Sequence, residues 1–433
     1  MQTKPGKFDA IVVGAGPAGS SAALTMAQQG LSVALLERGQ YPGSKNCFGG
    51  TIYSEPTEVI VPAFWEEAPI ERKVVSDLMW LMDEDSAVVA GFTGMRYGRP
   101  PYNKVTVLRG KFDNWLATKT VQAGAKLYNK TLVQDLVYDN GNIVGVQLDT
   151  GEQLHGDVVV LAEGVNAFLT KKAGLRSDIP PHTVTLYVKE VLALPAERIE
   201  ERFHLNKDEG AVIGMLGWPT AGSIGKAGIW TNKETVSIIV GTFLSEMVKK
   251  GLSPFHLLHR VKQHPMVKKI LQGAEPIEYQ AHLIPKGGYK VIPKLYDNGC
   301  LVIGDAAVMI SGRRGTDLAT LSGKYAGEAI AQAKSKGDFS AKQLSAYQVK
   351  LNNTFFMKDI KAGKDKLKYI EHHLDADYLL AKSANEASYL FFSENMDTNQ
   401  EKMSKIMETL RGQQQLSKSA KDLIAGVQHW GFF

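Results

Sequence analysis

Gly14, Gly16 and Gly19 stand at the spacing G-x-G-x-x-G in the run Gly14-Ala15-Gly16-Pro17-Ala18-Gly19, and that spacing suits a polyanion. The first glycine permits a tight turn, the second lets backbone approach a pyrophosphate, and the third lets a helix pack closely on the preceding strand. A helix opening here, through Ala18, offers unsatisfied N–H groups and the positive end of its dipole. Glu37, eighteen residues past Gly19 and followed by Arg38, is placed to accept hydrogen bonds from a ribose diol. The chemistry is dinucleotide binding. The motif alone does not separate FAD from NAD, and the plainer alternative is a glycine turn that only packs a helix.

Such residues need strands on both sides of the turn. Phe8–Val13 reads as strand, 18–29 as helix and 31–37 as strand, a βαβ unit. A helix is expected over 109–126, then strands over 126–138 and 143–148 joined by Asp139-Asn140-Gly141-Asn142. A buried-type strand at 158–161 runs into Ala162-Glu163-Gly164. Alternating runs at 183–191, 211–218 and 236–243 predict an antiparallel sheet. A helix follows over 254–272, a strand at 300–303 and a helix over 316–334; the remainder is mostly helical and lysine-rich. The glycines between Gly222 and Gly228 precede a strand-like run, so they read as a turn, and no second nucleotide fingerprint is present.

A chain of 433 residues exceeds one compact core. Hydrophobic content of 44%, charged content of 22% and a net charge of +5 fit a globular protein and give no basis for binding nucleic acid. The two cysteines, Cys47 and Cys300, suggest a reducing compartment and fall short of the four thiolates an all-cysteine [4Fe–4S] cluster takes. No metal site is expected. The N-terminal residues show no export signal, and no run of about eighteen apolar residues exists to span a membrane, which leaves peripheral attachment open.

Leu301-Val302-Ile303-Gly304-Asp305-Ala306-Ala307, followed by Ser311-Gly312-Arg313-Arg314-Gly315-Thr316-Asp317, resembles the Gly-Asp-Ala motif of FAD oxidoreductases. The resemblance implies that Asp305 holds the ribityl chain and that the helix after Gly315, opening at Thr316, faces the flavin pyrimidine edge. A helix N-terminus suits that edge, because reduced flavin carries negative charge there. Arg109 with Phe112-Asp113-x-Trp115-Leu116 resembles the arginine-led helix of these enzymes, and Val160-Leu161-Ala162-Glu163-Gly164 the strand ending near the adenosine. The plainer alternatives are a helix cap for Asp305 and a surface arginine for Arg109.

A narrower resemblance lies further along. Val188-Lys189-Glu190-Val191, Leu194-Pro195, Ser253-Pro254-Phe255, Lys262-Gln263-His264-Pro265, Tyr279-x-Ala281 and Pro285-Lys286-Gly287-Gly288-Tyr289 occur in order. They resemble the electron-transfer-flavoprotein:quinone oxidoreductases of the FixC type, within the geranylgeranyl-reductase-like flavoproteins. The resemblance implies an α/β fold: a glutathione-reductase-like FAD-binding Rossmann domain, an inserted antiparallel α+β quinone domain and a helical C-terminal region. The expected parts are 1–78, 105–180 and 287–336 for FAD, 79–104 for a quinone-side hairpin, 181–286 for the quinone domain and 337–433 for the helices. It further implies a two-subunit electron-transferring flavoprotein as donor and menaquinone or ubiquinone as acceptor. A small ferredoxin-like protein would carry the iron–sulfur cluster, and NADH-linked electron bifurcation is a possible setting. The expected location is cytoplasmic, peripheral on the inner face of the membrane.

Pro42-x-x-x-x-Cys47-x-Gly49-Gly50 matches the loop of geranylgeranyl reductases. It places Cys47, Gly49 and Gly50 at the flavin, where the thiol delivers a proton or only lines the pocket. Val308-Met309-Ile310 stands where the motif commonly has a glycine, so a different local geometry is expected there. The apolar stretch 88–95, with Phe92, Met95 and then Tyr102, is expected at the quinone entry and lipid interface, or else as a buried hairpin; Gly287 and Gly288 join the quinone side. His264 beside proline reads as structural, and the terminal Trp430-Gly431-Phe432-Phe433 as a docking tail or a tucked end. Alternatives to the electron-transfer subunit are a prenyl reductase, a flavin monooxygenase and an FAD-holding scaffold.

Overall fold

The structure is a computed structural model that describes residues 7–46, 50–312, 314–362, 369 and 372–425. Cys47, Gly49, Arg313 and the terminal Trp430-Gly431-Phe432-Phe433 lie outside the described residues. The chain forms two compact units: one takes Met1–Ile70, Val107–Pro180 and Ile284–Lys364, the other Glu71–Thr106, Pro181–Leu283 and Asp365–Phe433. The hairpin expected at 79–104 belongs to the second unit, and the helices expected over 337–433 divide between the two.

The first unit is built on a mostly parallel sheet. Its order is Tyr296–Asp297, Cys300–Val302, Gln153–Leu161, Phe8–Val13, Val33–Leu36 and Lys126–Tyr128. The central strands are continuous apolar runs, as expected where both faces are covered: Ala10, Ile11 and Val12 beside Val158, Val159 and Val160 are fully buried. The helix Pro17–Gln28 packs against the helix Thr316–Lys336 at very short range. Glycine makes this possible, because a Cβ on Gly323 would lie 2.1 Å from Ala18 O. A three-stranded antiparallel ribbon, Val133–Asp139, Asn142–Leu148 and the start of Gln153–Leu161, completes the unit.

The second unit carries a sheet in the order Glu275–Pro285, Val184–Ala193, Thr235–Phe243, Gly225–Thr231, Glu209–Gly217, Ile70–Met82 and Lys104–Val107, with Ala87–Thr93 paired to Ile70–Met82. The three alternating runs are all strands here. The pairing between Glu209–Gly217 and Ile70–Met82 is parallel.

Two expected boundaries are corrected. The helix expected over 254–272 is two, Pro254–Gln263 and Pro265–Ile270, because Pro265 forces His264 into extended backbone. His264 Nδ1 then accepts the Met266 N–H at 3.3 Å while its Nε2 lies 3.0 Å from Asp83 O, and burial lowers its pKa. The strand expected over 126–138 breaks into Lys126–Tyr128 and Val133–Asp139, with Lys130 at φ 55° between them. No helix among the described residues is long and apolar enough to cross a membrane.

Candidate functional site: a dinucleotide cradle in the first unit

The strand Phe8–Val13 delivers the chain into a turn that only glycine fits. Gly14 has φ 105°, and a Cβ there would lie 2.4 Å from Ala162 O; one on Gly19 would lie 1.9 Å from Gly14 O. Gly16 differs, because a Cβ there would meet nothing within 4 Å. Open space at Gly16 lies directly before the Pro17–Gln28 helix, whose N-terminus has no side-chain cap. The unfilled cradle and the uncapped N–H groups fit a pyrophosphate. Glu37 ends the second strand and reaches back to the turn: its Oε2 accepts the Ala15 N–H at 3.2 Å and its Oε1 the Gly39 N–H at 2.6 Å. Arg38 is exposed.

The second motif closes on the first. A Cβ on Gly304, at φ 63°, would come within 2.8 Å of the Ala18 methyl, and the Gly304 N–H donates to Ser322 Oγ at 3.0 Å. Asp305 therefore stands beside the glycine turn. Its backbone is held by Arg176, a buried residue whose Nη1 donates to Ala306 O at 2.9 Å and Asp305 O at 3.3 Å. Val308 takes φ 59° and ψ 35°, a conformation glycine enters freely and a β-branched residue only under strain. The turn thus keeps a glycine-like path without the glycine.

After that turn, the backbones of Ser311 and Arg314 pair at 3.0 and 2.9 Å, and Gly315 opens the helix at Thr316 without a side-chain cap. Arg314 Nε donates to the buried Asp317 at 2.5 Å, and its guanidinium lies over the rings of Tyr53 (5.2 Å) and Phe355 (4.5 Å). Lys286 Nζ donates to Gly312 O at 2.8 Å. Gly287 and Gly288 follow, the second at φ 63° with open space where a Cβ would stand. Gly50 is buried, and its carbonyl accepts the Val107 N–H at 2.7 Å.

Two of the expected cofactor residues also make contacts within the protein. Arg109 is buried rather than at the surface, and it grips Asp113 through Nε (2.7 Å) and Nη2 (2.8 Å). Glu163 caps the short helix Phe168–Lys172: its carboxylate accepts the N–H groups of Leu169 and Thr170 at 2.7 and 2.8 Å and the Thr170 hydroxyl at 2.7 Å. Gly164, at φ 73°, has open space where a Cβ would stand. Sequence reasoning missed Arg176, Ser322 and Lys286. The first two carry no motif signal, and Lys286 stands in a block that marks the family rather than a role for the lysine.

In the second unit, the stretch expected either at lipid or in a hairpin core is exposed. Phe92 is 51% and Met95 53% accessible on and beside the edge strand Ala87–Thr93, with Arg96 and Arg99 exposed nearby. Tyr102 is half-buried.

Comparison with known proteins agrees with this geometry. Residues 9–175 match the family FAD dependent oxidoreductase, and residues 185–284 match the family ETF-QO, ubiquinone-binding. Protein FixC of Bradyrhizobium diazoefficiens is 45% identical over 364 residues, covering 83% of this chain and 84% of that protein. A protein of Escherichia coli K12 described as a probable electron transfer flavoprotein-quinone oxidoreductase is 38% identical, covering 82% of this chain and 83% of that one. Among solved structures, a geranylgeranyl bacteriochlorophyll reductase-like protein from Thermoplasma acidophilum superposes with a TM-score of 0.65 at 18% identity, covering 98% of this chain and 97% of that one. That last likeness is one of fold alone.

Proposed function

The chain belongs to the FixC and electron-transfer-flavoprotein–quinone oxidoreductase family and is an FAD-dependent oxidoreductase, and from that premise we propose that it relays electrons from an electron-transferring flavoprotein to a quinone. The observation that carries the flavin half is the contact of the Gly304 turn with Ala18, which makes one cradle of the two motifs. The FAD pyrophosphate would be held by Gly14, Gly16, Ala18 and Gly19 at the first helix N-terminus, the adenosine ribose by Glu37, the ribityl chain by Asp305 and the pyrimidine edge by Gly315 and Thr316. FAD supplies the two-electron chemistry; the protein orients it and sets the charge around it. Glu163 and Gly164 would lie on the adenosine side, and Arg109, paired with Asp113, at the cofactor.

Residues 185–284, matched to a ubiquinone-binding family, support a quinone as acceptor. Phe92 and Met95, bordered by Arg96 and Arg99, form a surface suited to a lipid interface on the inner face of the cell membrane. A separate ferredoxin-like partner carrying the iron–sulfur cluster, and an NADH-linked bifurcating assembly, are the setting that the family resemblance implies. The test is to photoreduce the FAD-loaded chain anaerobically and add a menaquinone analogue. Rapid return of the oxidised flavin spectrum is expected; a flavin that stays reduced with quinone present contradicts the proposal.

A further inference from the structure

Lys286 occupies a junction that none of the flavin motifs includes. It follows the strand Glu275–Pro285, and its ammonium donates to Gly312 O at 2.8 Å, inside the loop that ends at the Gly315 helix start. Asp305 pulls on the same ammonium electrostatically. Its surroundings are only partly solvated. Among the described residues, three neighbouring cations have partners of their own. Arg314 is paired with Asp317 between two rings, Arg176 donates to the backbone of Asp305 and Ala306, and Lys361 lies 5.5 Å above the Tyr289 ring.

We propose that Lys286 supplies the positive charge that holds the reduced flavin as its N1-deprotonated anion, an inference that rests on the flavin reading above. A flavin taking two electrons and one proton ends as an anion, with its charge spread over N1 and the adjacent carbonyl. One taking two electrons and two protons ends neutral. A cation in a poorly solvated site favours the first outcome. A helix N-terminus alone gives a partial charge; the lysine adds a whole one. Burial pushes the Lys286 ammonium down to about 8, against the pull of Asp305, so the charge is present at neutrality and withdrawn in alkali.

The test is an anaerobic redox titration of the FAD-loaded full chain with three variants. Lys286→Met removes charge and donor, Lys286→Gln keeps a donor for Gly312 O without charge, and Lys286→Arg keeps charge. At the ambient potential where the wild type is half reduced, the Met and Gln variants are expected to show a reduced-to-oxidised ratio lower by about tenfold, equivalent to about 29.6 mV for a two-electron couple. The Arg variant should stay within about twofold. In mildly acidic buffer the reduced wild type should keep the anionic flavin spectrum while the Met and Gln variants show the neutral one. A Gln variant that keeps FAD, the wild-type ratio and the anionic spectrum overturns the proposal and leaves the flavin reading intact. A wild-type chain that takes up no FAD on reconstitution overturns the flavin reading itself.

Discussion

Gly304 lies against Ala18 so closely that a methyl on Gly304 would come within 2.8 Å of the alanine methyl. The contact ties the aspartate turn to the glycine turn across nearly three hundred residues of sequence. Gly304→Ala combines this overlap with a positive φ, and each effect alone destabilises by about 1–3 kcal/mol. Denaturant unfolding should show a combined loss of about 2–6 kcal/mol, together with FAD release on gel filtration. A variant with wild-type stability and full FAD content would show that the turn can shift without consequence.

Arg176 is the support beneath Asp305. Replacing it with methionine leaves the Asp305 and Ala306 carbonyls without its charged donor, a loss of about 1.5–3 kcal/mol for a hydrogen bond to a charged group. Weaker FAD binding should accompany the lower stability, and Arg176→Lys should recover part of both. Unchanged FAD affinity in the methionine variant would confine Arg176 to packing.

In the second unit, burial pushes the Asp377 carboxyl up to about 7, with Asp422 adding to the shift and the Gly225 N–H and Lys226 opposing it. Because its folded pKa exceeds the unfolded value, the native state holds a proton that the unfolded chain has already released. This contribution is full below about pH 4, falls as pH rises through about 7, and is flat above. Asp377→Asn removes that dependence. Urea denaturation of both proteins should show the asparagine variant gaining on wild type between about pH 5 and pH 8; a constant difference would mean that Asp377 is ionised throughout.

Phe92 and Met95 present apolar surface on an edge strand with Arg96 and Arg99 alongside. Phe92→Asp places a charge where the lipid-interface reading needs a wedge, so flotation with anionic liposomes should fall several-fold. Equal flotation of variant and wild type would remove this face from membrane attachment.

The cradle was legible in the sequence because its turn is encoded by glycine spacing: Gly14 takes a positive φ and Gly19 packs against Gly14 O. What was illegible depends on partners distant along the chain. Arg176 carries no motif, since it acts on a backbone 130 residues away. The strand Ile70–Met82 escaped because Glu71, Arg72, Lys73 and Asp77 interrupt its apolar run. Arg72 is nonetheless buried there, donating to Asn232 O, Glu209 O, Lys233 O and Glu200, a satisfaction that only the folded sheet supplies.

The relay itself is tested most directly by following the flavin spectrum of the FAD-loaded chain anaerobically. NADH is added first, then the electron-transferring flavoprotein, then a menaquinone analogue. The account predicts no bleaching with NADH alone, reduction once the flavoprotein is present, and reoxidation by the quinone. Direct bleaching by NADH with no response to quinone would contradict it.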